Sequence, residues 1–297
     1  MPTSFIKKYI RYPFEALAAF LIFSIFKLMP ISVASYCGSI LLRVFGPLLK
    51  PNKTAKNNLK KAFPEKSDQE IKLILKKMWN NLGRSLGEFA HVPKIIKKGS
   101  GRIELIGIEN VLSLKNDNKP GMFISAHLGN WETSIGACTS CDLLLHRIYR
   151  AANNPLVNKL VYSSGRGENF GELLPKGSKG ARRALELLKK GEHLGILLDQ
   201  KMNDGIECLF FGRPAMTAPA PAQFALKYDC PIVMAKSERL DGANFRITLY
   251  PPFYAENTGN RQEDIKKVTQ KMNDIIESWI REKPEDWLWV HNRWKKN

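Results

Sequence analysis

The octapeptide Ser125-Ala126-His127-Leu128-Gly129-Asn130-Trp131-Glu132 carries the clearest chemistry in the chain. It continues an apolar run, Met122 to Ala126, that reads as a short strand. A histidine at a strand end, with a carboxylate five residues on, can fold back on itself. The carboxylate then accepts the Nδ1–H, which fixes the tautomer and leaves Nε2 as a base. An ordinary imidazole titrates near pH ~6.5, so it can take a proton from a hydroxyl near neutrality. Gly129 permits a tight turn and a close approach of backbone to a ligand. The same pair also fits a structural hydrogen bond or part of a metal site. A metal would need further ligands, and His91, His146, His193 and His291 offer no paired spacing, so no metal is expected. No serine stands in a Gly-x-Ser-x-Gly elbow. Lys176-Gly177-Ser178 lacks the Gly-Lys-Ser order of a phosphate loop. Cys138 and Cys141 have no second pair beside them and read as small buried residues of a helix.

The elements that must position these residues follow from periodicity. Leu194 to Leu198 and Pro231 to Ala235 are two more short apolar runs. The first of them leads straight into Asp199-Gln200, as Met122 to Ala126 leads into His127. Between the first two runs the spacing predicts a helix capped by Ser178 and stopped by Gly191. Another helix is expected over about 218–227, and a last one over about 262–282 with Ile265, Val268, Met272, Ile276 and Trp279 on one face. Ser67-Asp68-Gln69-Glu70 is a capping box that opens a helix with Ile71, Ile74, Leu75, Met78 and Trp79 inward. Strands alternating with helices indicate an α/β fold, a mostly parallel central sheet flanked by helices. In such sheets ligands collect beyond the carboxyl ends of the strands, where His127 and Asp199-Gln200 stand.

The chain has 297 residues, 44% of them hydrophobic and 25% charged. That usage excludes a mostly disordered chain and a polytopic membrane protein. The net charge is +18. Residues 1–49 hold five basic residues and one acid, and residues 50–102 hold fourteen and four, so the positive field lies in the first third. No nucleic-acid-reading module accompanies it, and no nucleic-acid partner is expected. An apolar segment followed by a basic one suits an anionic membrane surface. Ala16 to Phe26 and Leu28 to Leu42 are uncharged runs separated by Lys27. They fit one tilted span, an interfacial hairpin, a signal peptide or buried core helices. The expected division is a membrane-associated segment over 1–49 and a catalytic domain over 50–297, with 50–102 as its basic helical part. The scattered cysteines require no oxidising compartment.

His127-x4-Glu132, within His-Leu-Gly-Asn-Trp-Glu, resembles the signature of the lysophospholipid acyltransferase superfamily, and more closely its lipid A lauroyl/myristoyl acyltransferases. Further blocks, in order, are similar to that family: Tyr149-Arg150-Ala-Ala-Asn-Asn154-Pro155, Gly165-Arg166-Gly167, Leu198-Asp199-Gln200, Phe210-Phe211-Gly212 and Trp289-Val-His291-Asn-Arg293-Trp294. The resemblance implies transfer of a fatty acyl chain from an acyl thioester to a hydroxyl of a lipid A precursor in one step. The donor would be acyl–acyl carrier protein or acyl-CoA as co-substrate, with no resident cofactor. His127 would be the base, and Glu132 would orient it. Gly129, Asn130, Arg150, Asn154, Arg166, Asp199, Gln200, Phe211, Gly212 and Arg293 would contact substrate. Phe210 and Phe211 fit core aromatics as well, and Arg293 a fold-closing residue. The implied partners are acyl carrier protein, the lipid A precursor and anionic inner-membrane lipid. The implied location is the bacterial inner membrane, with the catalytic domain on its cytoplasmic face. Acylation of another lipid (a lysophospholipid, aminolipid or glycolipid) and a non-catalytic lipid-binding module remain alternatives.

Overall fold

The computed structural model describes residues 7–163 and 170–294. Two apolar helices come first, α1 (Tyr12–Leu28) and α2 (Ile31–Phe45). Met29-Pro30 separates them: proline withholds a helix donor and drives the preceding residue to extended backbone, and Met29 has ψ 152°. The basic helix α3 (Lys50–Ala62) and the long α4 (Asp68–Glu88) follow. α4 starts at its capping box, Ser67 accepting the Glu70 N–H while Glu70 accepts the Ser67 N–H. The short α5 (Val92–Ile95) leads to β1 (Ile103–Ile106) and α6 (Glu109–Asn116).

From β2 (Met122–Ser125) onward strands and helices alternate. They are α7 (Gly136–Ser140), β3 (Leu145–Tyr149), α8 (Pro155–Ser163), β4 (Leu173–Pro175), α9 (Ser178–Lys189) and β5 (His193–Leu197). A separate antiparallel hairpin, β6 (Ile206–Phe210) and β7 (Arg213–Thr217), precedes α10 (Ala220–Tyr228). The chain closes with β8 (Ile232–Arg239), β9 (Phe245–Leu249) and α11 (Arg261–Glu282). The seven-stranded sheet runs β1-β9-β8-β2-β5-β3-β4, and only the β8–β9 pair is antiparallel. The three apolar runs of the sequence are its centre, β8-β2-β5. α9 begins at Ser178 itself, one residue earlier than a Ser178 cap would give, with Gly177 ahead of it at φ +115°.

Helices cover both faces. Ile71, Ile74, Met78, Met272, Ile276 and Trp279 pack against Met122, Ile124, Leu194 and Ile232 on one side. Val92, Val111, Leu114, Ile135 and Cys138 pack against Phe123, Leu145, Val233 and Ala235 on the other. Cys138 and Cys141 are buried, and burial pushes the Cys138 thiol well up. α2 lies across α4 at backbone contact: a Cβ on Gly83 would strike the Gly38 carbonyl, and one on Gly87 the Ala34 carbonyl. Small residues four apart on both helices permit that approach.

Candidate active site

Parallel pairing sets the site. β2 and β5 pair Met122 with Leu194 and Ser125 with Leu197. The same register carried two residues further puts His127 opposite Asp199. His127 Nδ1 lies 2.8 Å from Asp199 Oδ1. The His127 backbone N–H donates to Asp199 Oδ2 at 3.1 Å, and the Trp287 indole N–H donates to the same oxygen at 2.7 Å. Asp199 is 2% exposed. Burial alone would raise its pKa, but the imidazole charge and these three donors outweigh it and hold the carboxyl at about 2. An ionised acceptor at Nδ1 keeps the proton there, so the Nε2 lone pair points away from Asp199. Gln200 Nε2 sits 3.2 Å from that nitrogen.

The sequence expectation that Glu132 would hold the imidazole is corrected here: the carboxylate on Nδ1 is Asp199. The cause is local. Asn130 accepts the Glu132 N–H and starts a 3-10 turn over Trp131–Thr133. Glu132 Oε1 then accepts the Trp131 indole N–H at 3.1 Å. Glu132 still lines the same cleft as His127. The Trp131 ring lies 5.1 Å from the imidazole and walls it.

The cleft has a volume of 420 Å³. Its polar lining includes His127, Glu132, Arg150, Lys176, Gln200 and His291. Phe123, Ile135, Leu145, Leu197 and Leu249 line its apolar part, beside Gly195, whose missing Cβ lets the Leu145 and Arg147 side chains lie against the strand. Burial, reinforced by Arg150, lowers the Lys176 pKa. Burial takes His291 down to about 4, so that ring is neutral near pH 7. His291 Nε2 accepts the Lys201 N–H at 3.2 Å.

Other expected substrate contacts lie elsewhere. The Asn130 side chain is fully buried and donates to Glu88 Oε2 at 2.8 Å. The Gly129 N–H is used by the Asp286 carbonyl, and its own carbonyl accepts from Asn81 and Ser85. Asn154 accepts the Leu156 N–H at the start of α8 and donates to the Tyr12 carbonyl and to Glu15. Phe211 packs among Phe63, Trp289 and Trp294. Gly212, at φ +63°, makes the β6–β7 turn. Arg293 is fully buried and donates to the Met216 carbonyl and Thr217 Oγ1, which closes the fold around the hairpin. Arg166, with Gly165 and Gly167, lies outside the described residues.

Two features of the loop carrying His127 were not anticipated. Glu88, at the end of α4, is fully buried and is gripped by Arg239 of β8, with 2.9 Å between Arg239 Nη2 and Glu88 Oε2. Ser35 of α2 donates to the same carboxylate at 2.7 Å. A chain of side-chain bonds therefore runs from the apolar helix α2 through Glu88 to Asn130. Leu288 donates to the His127 carbonyl at 3.1 Å and holds the loop from the other side.

Residues 5–296 match the model of a family described as bacterial lipid A biosynthesis acyltransferase. The lipid A biosynthesis lauroyltransferase of Escherichia coli K12 is 24% identical over 258 residues, covering 82% of this chain and 78% of that protein. The palmitoleoyltransferase of the same strain is 23% identical over 276 residues, 90% of this chain and 86% of that one. The myristoyltransferase is 22% identical, covering 78% of this chain and 72% of that one. Among solved structures, the 1-acyl-sn-glycerophosphate acyltransferase of Thermotoga maritima aligns at a TM-score of 0.39 and 12% identity, over 90% of this chain and 97% of that one.

Proposed function

The chain belongs to the bacterial lipid A biosynthesis acyltransferase family, and from that premise we propose that it moves a fatty acyl chain from acyl–acyl carrier protein to a hydroxyl of a lipid A precursor, with His127 as general base. The observation that carries this reading is the Asp199–His127 pair at the rim of an apolar cleft. Asp199 keeps the proton on Nδ1 and stabilises the imidazolium as it forms. The acceptor hydroxyl takes the place of the Gln200 amide at Nε2 and gives up its proton there. Its oxygen attacks the thioester carbonyl, and the tetrahedral intermediate collapses by breaking the C–S bond. The imidazolium returns its proton to the departing thiolate, so no acyl-enzyme is needed. The Gly129 N–H is already bonded, so charge on the tetrahedral oxygen falls to donors lining the cleft, among which Arg150 and Lys176 are cations. Glu132, in the cleft rather than on the imidazole, acts on the substrate side.

We read the N-terminal helices as the membrane contact, on the cytoplasmic side of the inner membrane. Lys8–Leu28 and Ile31–Leu48 are each long and apolar enough to cross a bilayer by length and composition. Phe14 is 70% exposed, Leu28 87% and Leu48 79%, large apolar side chains that water does not favour. The test is a lipid A mass spectrum from cells with and without the protein, paired with the purified His127→Ala variant. Loss of one acyl chain in the deletion, unrestored by His127→Ala, is expected. An unchanged acyl count, or full activity in folded His127→Ala, refutes the reading.

A further inference from the structure

A second cleft, of 600 Å³, takes part of its lining from the segment just after Gln200. Its walls are the end of α3, the segment after Gln200 and the β6–β7 hairpin. Lys61, Lys201 and Arg213 line it, with Asn203, Glu207 and Trp294. The Arg213 Nε–H donates to the Lys61 carbonyl at 2.9 Å, which holds the guanidinium beside that lysine's backbone. Among the described residues, none of the three cations makes an ion pair, although Lys60, beside Lys61 in the chain, pairs with Asp68. Three unneutralised cations against one carboxylate in a single concavity repel one another and favour an entering anion.

The cleft is tied to the chemistry through the chain. Lys201 follows Gln200, whose amide touches His127 Nε2. The Lys201 N–H is bonded to His291, which lines the catalytic cleft. Gln200 therefore lines the apolar cleft and the next residue, Lys201, the cationic one. A lipid that places a hydroxyl at His127 and carries an anionic group nearby has a seat for each. Resting on the acyl-transfer reading above, we propose that Lys61, Lys201 and Arg213 bind a phosphoryl group of the acceptor lipid. A phosphate monoester carries close to two negative charges near neutrality and three acceptor oxygens, which suit an arginine fork between two ammonium groups.

The test uses the full-length protein in detergent micelles and phosphate-free buffer. Arg213→Gln and Lys61→Gln are each expected to raise KM for the phosphorylated acceptor about tenfold, the scale of one lost charge-assisted hydrogen bond. The loss falls on KM rather than kcat, and phosphatase treatment of the acceptor removes the difference between wild type and variant. Inorganic pyrophosphate is expected to inhibit the wild type competitively against acceptor and weakly in Arg213→Gln. Unchanged acceptor KM overturns the proposal. So does a rise confined to the thioester donor, which would give the cleft to an acidic carrier protein. If wild type acylates no lipid A precursor, the function reading fails by itself. Pyrophosphate-induced thermal stabilisation, present in wild type and absent in Arg213→Gln, then still supports the anion site, and equal stabilisation in both overturns it.

Discussion

Replacing Asp199 by asparagine removes the charge behind His127 and keeps the shape. The carboxyl stands at about 2, below the ordinary aspartate value of about 3.9, a fall that at ~1.36 kcal/mol per pKa step is on the order of 2–3 kcal/mol of preference for the charged pair. If the imidazolium loses that support in the transition state, kcat falls about 60-fold. A larger loss is open to the variant. An amide can turn its N–H toward Nδ1, which moves the imidazole proton to Nε2 and removes the base; the same change in a serine protease triad costs about 10⁴-fold. The expected result is therefore a fall in kcat between about 60-fold and 10⁴-fold. Trp287 keeps an acceptor at position 199, so the fold survives. Single-turnover transfer of labelled acyl chain, run beside a thermal melt, measures both quantities. A folded Asp199→Asn protein within threefold of the wild-type rate, roughly 0.7 kcal/mol, would show that Asp199 does not act on the imidazole.

Glu132→Gln is expected to lower transfer while leaving the pH dependence of the rate where it is in wild type, because the imidazole is held by Asp199; a displaced pH profile would return Glu132 to the imidazole. Glu88→Gln leaves Arg239 buried against a neutral partner and is expected to cost about 3–5 kcal/mol, whereas replacing Glu88 and Arg239 together by apolar residues costs less; urea unfolding separates the two. His291 is kept neutral by burial, its folded pKa of about 4 lying below the ordinary histidine value of 6.5. As pH falls through 6.5 the unfolded chain binds this proton and the folded one does not, so stability is full above 6.5 and declines toward about 4. His291→Asn is expected to flatten that decline in urea melts at pH 7 and pH 5.

The centre of the sheet was legible because its strands are buried on both faces and read as unbroken apolar runs. The capping box at Ser67 and the amphipathic α11 were legible for the equally local reasons of side-chain capping and a 3.6-residue period. β1 and β9 were not, because half of their residues face outward and four or five alternating positions carry little signal. Strand order is invisible to local pattern, and the partner of His127 depends on it. Both strand ends, His127 and Asp199, stood out as polar residues after apolar runs, but only the pairing of β2 with β5 brings them together. Sequence proximity favoured Glu132 instead. Asn130 and Arg293 show the other limit. Their polarity reads as ligand contact, but the Asn130 amide and both Arg293 Nη groups donate inside the protein, and only burial reveals that.

The close crossing of α2 over α4 bears on how the enzyme can be handled. A truncation at residue 49, made to obtain a water-soluble catalytic fragment, would strip a backbone-tight cover from Gly83 and Gly87 and take Ser35 from a carboxylate that has no access to water. The loss would reach Asn130 and, through it, the reactive loop. A tractable soluble form is better sought by recolouring the outward side of α1 and α2, at positions such as Phe14, Leu17 and Ile40, than by cutting the helices away.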